Sequence, residues 1–219
     1  MVETRRKFIK TLVGCLTFLG LVFNPLFMGI RSGLVEAKKI ILPKGTKRDS
    51  LVTKNPADLD SRNLEITPLQ DFGTMGLEDH KVDIRQWRLH LNGHVETPLD
   101  LTYGQTLALP WIERQVLLIC PGVFANHGRW KGISIKRLME MAGVKKGATH
   151  VTIRGPKSTY EKVERFSITD ILSEKVFLAY QVNGEVLPQK HGYPLRVVAE
   201  EHYGYEWVKY VDQITIEKI

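Results

Sequence analysis

One cysteine of this chain stands where its side chain could do chemistry. Cys120 ends the apolar run Leu117–Ile119 and precedes a Pro-Gly pair, so a strand end would hold its thiol beside a turn. The other cysteine, Cys15, lies in a candidate export segment. Cys120 is then a buried structural thiol, a nucleophile with His127 as its base, or a metal ligand. No CxxC pattern accompanies it, so it suffices for a metal only where a cofactor brings most other ligands.

A second segment, 183–196, carries groups suited to an anion. Gly192 and Pro194 impose an irregular loop, and His191 and Arg196 stand where that loop meets the next strand. An arginine offers a bidentate fork and a histidine a further donor, and together they suit a phosphate. The alternative is a solvent-facing hairpin with a surface arginine.

A third stretch, 203–210, is rich in aromatic residues. Gly204 permits close approach of the backbone to a ligand, and Lys209 adds a cation. An aromatic cluster of this kind is, taken alone, typical of a core.

The N-terminal region has the pattern of an export signal. Thr4–Lys10 reads T-R-R-x-F-I-K and precedes an uncharged stretch, Thr11–Ile30. Paired arginines before an apolar run indicate the twin-arginine route, with a small-residue cleavage site after Ala37. The run is also almost long enough to span a bilayer, so an uncleaved anchor remains open. Because this route carries folded proteins, we expect a cofactor-containing protein in the periplasm or on the outer face of the cytoplasmic membrane.

Composition indicates an ordinary globular protein. The chain has 219 residues, of which 43% are hydrophobic, enough for one domain behind a targeting segment. Its formal charge of +7 is mild and partly local, because several basic residues fall in the export segment. No Lys/Arg-rich block with interleaved aromatic residues occurs, so no nucleic-acid interface is expected.

Breakers and hydrophobic patterns divide the chain into three parts. Residues 1–37 form the export signal or anchor, and residues 38–63 form a polar linker or loosely packed arm. Residues 64–219 are predicted to form one α+β domain with a mixed sheet, because short strands and a few helices follow one another without regular βαβ units.

Alternation, caps and turn signals predict the elements of this domain. Helices are predicted after the caps Thr102, Ser134 and Ser167, and Asn92-Gly93 and Asn183-Gly184 are predicted turns. Strands are predicted over Trp87–Leu91, Arg114–Cys120, Thr149–Arg154, Phe177–Val182, Leu195–Ala199 and Gln213–Ile219.

Together, these stretches resemble the molybdopterin-binding domain of the sulfite oxidase family, in the small exported branch that includes periplasmic methionine sulfoxide reductase catalytic subunits. In that family the cysteine is followed by a Trp-x-Gly-hydrophobic motif, here Trp130–Ile133. The family's Asn-Gly-x-x-Leu-Pro-x-x-His-Gly-x-Pro-Leu-Arg segment stands here as Asn183–Arg196, and its Tyr-Gly…Lys-aromatic stretch as Tyr203–Tyr210. The resemblance covers roughly residues 64–219.

The resemblance implies a sulfite-oxidase-type fold and a molybdenum–molybdopterin cofactor. Cys120 would be the catalytic residue and the protein's thiolate ligand to molybdenum, while the pterin dithiolene and oxo or water ligands complete the metal site. The residues implied to contact or lie near the cofactor are Gly155, His191, Arg196, Trp207, Val208, Lys209, Asp71 and Phe72.

The chain departs from true sulfite oxidases where those proteins place arginines around the metal. Val123–Gly128 contains no arginine, and Gly73–Gly76 replaces an expected Arg-Asn-His stretch. The resemblance therefore implies oxygen-atom transfer on a sulfoxide, an N-oxide or a similar small substrate rather than sulfite. Asn126 and His127 are the candidate substrate contacts in this region.

The remaining expectations concern the electron-transfer partner and two alternative functions. No haem-attachment CxxCH pattern occurs, so a separate electron-transfer protein, such as a membrane cytochrome, is the expected partner. One alternative is an exported cysteine hydrolase or transpeptidase that uses Cys120 and His127. The other is a cofactor-binding protein without turnover.

Overall fold

The structure, a computed structural model, describes residues 38–157 and 162–218. The export signal predicted for residues 1–37 lies outside the described residues and stays a prediction. The described residues all belong to one unit, Lys38–Ile219. Their strands are β1 (Ile40–Ile41), β2 (Leu59–Asp60), β3 (Arg88–Gly93), β4 (Leu99–Thr102), β5 (Trp111–Cys120), β6 (Phe124–Ser134), β7 (His150–Arg154), β8 (Val163–Ser167), β9 (Val176–Val182), β10 (Glu185–Val186), β11 (Arg196–Ala199) and β12 (Gln213–Glu217).

Most of these strands form two five-stranded sheets. The first has the order β10-β9-β6-β5, with β11 also paired to β9, and all its pairs are antiparallel. The second has the order β4-β3-β12-β7-β8, in which β12 runs parallel to β3 and the other pairs are antiparallel. With few helices between the strands, this mixed arrangement confirms the α+β prediction.

Three short α-helices begin at the caps that the sequence predicts. They are α1 (Tyr103–Leu107), α2 (Ile135–Ala142) and α3 (Ile168–Leu172), and the 3₁₀ turns are Arg48–Leu51, Pro56–Asp58, Leu69–Asp71, Gln189–His191 and Gly204–Glu206. Ser134 caps α2 by accepting from the Arg137 amide, and Gly143 ends the helix in the left-handed region. No helix in the described part of the chain is long and apolar enough to cross a membrane.

The β5–β6 hairpin is the element that positions Cys120. The two strands pair from Trp111 opposite Ile133 to Cys120 opposite Phe124. Because side chains alternate along a strand, those of Cys120 and Phe124 share one face, and the neighbouring Ile119 points to the other. Strand β6 was not among the predicted strands, since its residues include two glycines and several polar side chains.

The turn predicted at Asn92-Gly93 begins later, because both residues still belong to β3 and the chain reverses over residues 94–98 before β4 pairs with β3. Gly93 has a φ of 93°, and a Cβ on it would lie 2.2 Å from the carbonyl oxygen of Ile216 in β12. The glycine therefore permits close approach of a parallel neighbour at the end of β3, before the chain reverses. The Asn183-Gly184 pair does connect β9 to β10, with positive φ at both residues, as a tight hairpin requires.

Residues 38–63 pack as an arm against the outer face of the β5–β6 hairpin. They contain the paired strands β1 and β2. Their buried leucines and Leu64 form a second hydrophobic cluster with residues of the hairpin, which comprises Leu42, Leu51, Leu59, Leu64, Leu117, Ile119 and Ala125. The face of the hairpin opposite to Cys120 is therefore covered by the arm.

Candidate functional site

A cavity of about 740 Å³ opens at the ends of several strands. Its walls come from the ends of β5, β6, β7 and β11, from the segment 204–210 and from the segment 73–79. The predicted site residues that line it are Cys120, Gly155, Arg196, Trp207 and Lys209. Residues far apart in sequence thus meet in one cavity large enough for a cofactor.

Cys120 is held at the cavity wall by the end of β5. The residue is 7% exposed and is a free thiol. Its Sγ lies 3.8 Å from Sδ of Met75. Burial raises the pKa of the thiol, because desolvation disfavours the thiolate. Without a bound cation, Cys120 is therefore a poor nucleophile at neutral pH.

Arg196 is a buried cation without an acidic partner in the described part of the chain. The residue is 6% exposed, and no salt bridge to it occurs among the described residues. Its guanidinium donates to the carbonyl oxygens of His191, at 3.1 Å, and Val197, at 3.4 Å. Burial lowers its pKa to about 9. An uncompensated buried charge is costly, so this arrangement favours binding of an anion.

Two indole rings hold the Arg196 guanidinium. Its Cζ lies 5.2 Å from the ring centroid of Trp130 and 5.5 Å from that of Trp207. Contact with the ring faces stabilises the cation without neutralising it. The buried Nε1–H of Trp207 has no acceptor among the described residues, which leaves it available to a ligand.

His191 lies behind the cavity wall rather than at its surface. The imidazole is buried, and Nε2 has no partner in the described part of the chain. Burial, and secondly the positive charge of Arg196, lower its pKa to about 4, so the ring is neutral at pH 7. Phe72 packs edge-on against it, with ring centroids 5.8 Å apart.

Lys209 lines the cavity, and its ammonium ties together two segments of the wall. Nζ donates to the carbonyl oxygens of Leu77, at 2.7 Å, and Lys190, at 2.9 Å, and to Oγ1 of Thr74, at 3.0 Å. Burial lowers its pKa to about 8. Val208 is buried in the core, and its backbone carbonyl accepts from the Val197 amide, so it supports the wall without lining it.

Gly155 lets two backbone segments approach closely beside the cavity. A Cβ at this position would lie 2.6 Å from the carbonyl oxygen of Lys209. Such a distance is far below ordinary contact, so a side chain here would displace the segment that carries Trp207 and Lys209. The glycine thus lies where the sequence placed it, at the edge of the cavity.

Besides His191 and Val208, four further predicted site residues do not line the cavity. Asp71 is exposed and lies 3.9 Å from Arg48, and Phe72 packs in the core against His191 and Trp130. The Asn126 and His127 side chains are buried, and they lie on opposite faces of β6.

The Asn126 side chain faces the cavity side of the hairpin but is occupied. Its amide donates to the carbonyl oxygen of Gly73 at 3.0 Å and accepts from the Gly73 amide at 3.2 Å. His127 pairs with Leu117, so its ring lies on the arm side of the hairpin, opposite to Cys120. Burial lowers the pKa of His127. The structure therefore does not bring His127 to the Cys120 thiol.

Sequence reasoning missed much of the segment 73–79, which lines the cavity throughout. Its start, Gly73–Gly76, was considered only because it lacks the arginine that sulfite oxidases carry there. Phe124, Tyr205 and Tyr210 also line the cavity without having been predicted. The two glycines at Gly73 and Gly76 were the available signal for a close-packed loop.

These features fit an anionic cofactor that brings most of its own metal ligands. The cavity holds a thiol, an uncompensated guanidinium and an unpaired indole N–H. No group of three or more His, Cys, Asp or Glu that could hold a metal occurs within residues 38–157 and 162–218. Within that part of the chain, Cys120 can complete a metal centre but cannot form one with other protein ligands.

A family profile and a solved structure match most of the chain. The family described as "Oxidoreductase molybdopterin binding domain" matches residues 76–218. The crystal structure of the sulfane dehydrogenase SoxCD from Paracoccus pantotrophus matches with a TM-score of 0.60 at 22% identity, covering 91% of this chain and 55% of that chain. These matches confirm the predicted sulfite-oxidase-type molybdopterin-binding fold.

Curated relatives are larger or uncharacterised oxidoreductases. The chain is 30% identical to the uncharacterized oxidoreductase YuiH of Bacillus subtilis, over 62% of this chain and 68% of that protein. It is 28% identical to the protein-methionine-sulfoxide reductase catalytic subunit MsrP of Gluconobacter oxydans, over 59% of this chain and 46% of that protein. It is 29% identical to the NADH nitrate reductase of Volvox carteri, over 60% of this chain and 19% of that protein. The aligned regions thus cover between about a fifth and about two thirds of the length of each of these relatives.

Proposed function

Because this chain belongs to the molybdopterin-binding oxidoreductase family, we propose that it is an exported molybdenum–pterin enzyme that transfers an oxygen atom to or from a small substrate. The observation that carries the proposal is the meeting, in one cavity, of the Cys120 thiol and the uncompensated cation of Arg196. A metal ligand and an anion site in the same cavity suit a cofactor that has a metal at one end and a phosphate at the other.

The residues of the cavity have separate tasks in holding this cofactor. Cys120 supplies the protein's ligand to molybdenum, and the Pro-Gly turn after it leaves its thiol at the cavity wall. Arg196 would bind the phosphate, since among the described residues its guanidinium donates to carbonyl oxygens and has no carboxylate partner. The Trp207 indole N–H would donate to a polar group of the pterin, and Lys209 holds the neighbouring segment of the cavity wall.

His191 and Val208 act from behind this wall. The carbonyl oxygen of His191 orients the Arg196 guanidinium, and the Val208 backbone supports β11 at the point where Arg196 begins it. Phe72 packs against His191 and so fixes its ring. Asp71 is exposed and does not line the cavity, so we assign it no contact with the cofactor. When bound, the cofactor supplies two-electron redox chemistry with oxygen-atom transfer; the protein supplies position, charge and exclusion of water.

We further propose a sulfoxide, an N-oxide or a similar neutral molecule as the substrate. The Gluconobacter oxydans relative is named a protein-methionine-sulfoxide reductase catalytic subunit, and this name supports a sulfoxide. The segments Val123–Gly128 and Gly73–Gly76 carry no arginine beside Cys120, which argues against sulfite. Asn126 contributes by holding Gly73 rather than by touching substrate.

Export and an external electron carrier complete the proposal. The twin-arginine pattern at Thr4–Lys10 supports delivery of the folded, cofactor-loaded protein to the periplasm or to the outer face of the cytoplasmic membrane. Electrons would come from a separate protein, such as a membrane cytochrome. Residues 1–37 act as a cleaved signal or as an anchor, residues 38–63 as the arm, and residues 64–219 as the oxidoreductase domain.

A cysteine hydrolase is a weaker candidate for two reasons. Burial raises the pKa of Cys120, and His127 lies on the opposite face of the β5–β6 hairpin. Neither property suits a thiolate activated by a neighbouring base.

The proposal is tested with full-length protein from a molybdenum-replete host. Reduced viologen should be oxidised when dimethyl sulfoxide or trimethylamine N-oxide is added, and Cys120→Ser should abolish this turnover. Arg137→Ala, which changes an exposed arginine of α2, serves as the matched surface control. Protein that contains molybdenum but reduces none of these acceptors and instead oxidises sulfite would contradict the substrate assignment.

A further inference from the structure

The segment 73–79 is fastened across the cavity from both sides. At its start, Asn126 holds both backbone polar groups of Gly73. At its end, Lys209 donates to the carbonyl oxygen of Leu77 at 2.7 Å. Bonds at both ends leave the side chains between them little freedom to move away from the cavity, so their identity matters for what enters.

Met75 is the residue of this segment that meets the reactive thiol. Its Sδ lies 3.8 Å from Sγ of Cys120, yet the residue remains 54% exposed. It therefore contacts both the thiol and the solvent at the cavity mouth. Phe124 and Tyr205 line the same cavity, and Tyr205 is also largely exposed. The Cys120 thiol therefore has a thioether beside it, and two aromatic rings line the same cavity.

The three cations that line the cavity among the described residues, Lys162, Arg196 and Lys209, are engaged elsewhere. Lys162 forms an ion pair with Glu164. The three hydrogen-bond donors of Lys209 are taken by Thr74, Leu77 and Lys190. The Arg196 guanidinium is held by indole rings and carbonyl oxygens, and the proposed function assigns it to the cofactor phosphate. Glu78 and Asp79, which also line the cavity, add negative charge. An incoming anion would thus meet no free cation among the described residues at Met75.

We propose that Met75 is a specificity-determining residue that makes the approach to Cys120 apolar, so that neutral molecules with apolar substituents enter and anions such as sulfite are disfavoured. The thioether offers contact with methyl and aromatic groups and no strong hydrogen bond, whereas an arginine there would attract an anion. The choice of a sulfoxide or an N-oxide as the substrate rests on the proposed function, whereas the selectivity of the cavity against anions does not depend on it.

The first test uses full-length protein prepared without molybdenum. The rates at which neutral iodoacetamide and anionic iodoacetate alkylate Cys120 are followed by mass spectrometry of the Cys120 peptide. In Met75→Arg, the ratio of the anionic rate to the neutral rate should rise about tenfold, because a cation within a few ångströms favours the anionic reagent. An exposed methionine of α2, Met141, gives the matched control Met141→Arg, whose ratio should equal that of the wild type.

An unchanged ratio in Met75→Arg would overturn the inference. Misfolding is not expected to mask the result, because Met75 is exposed, and equal melting temperatures of the two variants would establish this. An equal rise in Met141→Arg would also overturn the inference, since it would show a general effect of charge rather than one at the cavity.

The second test uses the molybdenum-loaded protein. The ratio of kcat/KM for sulfite to that for dimethyl sulfoxide should rise at least tenfold in Met75→Arg and not in Met141→Arg. A wild type that prefers sulfite would overturn the inference. If neither substrate is turned over but the alkylation ratio shifts as expected, the proposed function fails while the inference about Met75 stands.

Discussion

At the residue scale, the site depends on the charge of Arg196, which has no acidic partner within residues 38–157 and 162–218. Arg196 is buried against two indole rings, and among the described residues its guanidinium donates only to carbonyl oxygens. In the absence of a ligand, such a residue weakens the fold, because desolvation of a guanidinium is not offset by a counter-charge. Its presence is explained if the folded protein gains an anion that it binds there.

This explanation predicts opposite effects of Arg196→Met on binding and on stability. Molybdopterin content should fall at least tenfold, because the phosphate loses its partner. The free energy of unfolding of cofactor-free protein should stay the same or rise, because a desolvated charge is removed. Pterin fluorescence and urea denaturation measure the two quantities, and Arg137→Met is the exposed control. Full pterin content in Arg196→Met would refute the anion site.

His191 gives a prediction for pH at the same scale. Burial lowers its pKa from 6.5 to about 4, so the unfolded chain binds more protons than the folded one between these values. Stability is therefore complete above about pH 6.5 and falls as the pH drops towards 4, by up to about 3 kcal/mol.

The measurement is the free energy of unfolding of cofactor-free protein in urea at several pH values. His191→Gln, which cannot titrate, should show a shallower loss of stability between pH 6.5 and 4. Some loss should remain, because burial also lowers the pKa of His127. An identical slope in the two proteins would mean that His191 is not held neutral by its surroundings.

At the element scale, predictions from sequence succeeded where a local signal determined the outcome. The caps at Ser134 and Ser167 and the hairpin at Asn183-Gly184 are local, and all three occur in the structure. Strand β6 and the role of Gly93 are not local. They depend on which strand lies alongside, and this information is absent from a single sequence.

The same limit explains which site residues were predicted well. Cys120 and Arg196 stand at ends of predicted strands and do meet in the cavity. Asn126 and His127 were assigned to a substrate pocket because they follow the cysteine closely in sequence. Their faces are set by the pairing of β6 with β5, which places His127 under the arm.

Gly132 provides a test of how closely β6 lies beside β9 in the first sheet. It lies in β6 at a register shift against β9, and a Cβ there would lie 1.9 Å from the carbonyl oxygen of Leu178. Gly132→Ala should lower the free energy of unfolding by more than about 2 kcal/mol, because the backbones must separate. Gly104→Ala is the matched control: its Cβ would meet nothing within 4 Å, and the change should be neutral or slightly stabilising. Equal effects of the two changes would contradict this account of the sheet.

At the scale of the whole molecule, the two faces of the β5–β6 hairpin have different roles. One face carries Ile119 and packs under the arm of residues 38–63, and the other carries Cys120 into the cavity. The arm thus covers the strand that holds the thiol, and the segments around Met75 and Lys209 enclose the cavity from other sides. A folded, loaded domain of this kind is suited to export by the twin-arginine route, as proposed from Thr4–Lys10.

The most direct test of the central claim is X-ray absorption at the molybdenum K-edge on full-length wild type and Cys120→Ser. The wild type should contain close to one molybdenum per chain, and its metal should have one sulfur ligand more than the metal of the variant. The same number of sulfur ligands in both proteins, or wild type purified with its pterin site filled but without molybdenum, would contradict the claim that Cys120 is the protein's ligand to the metal.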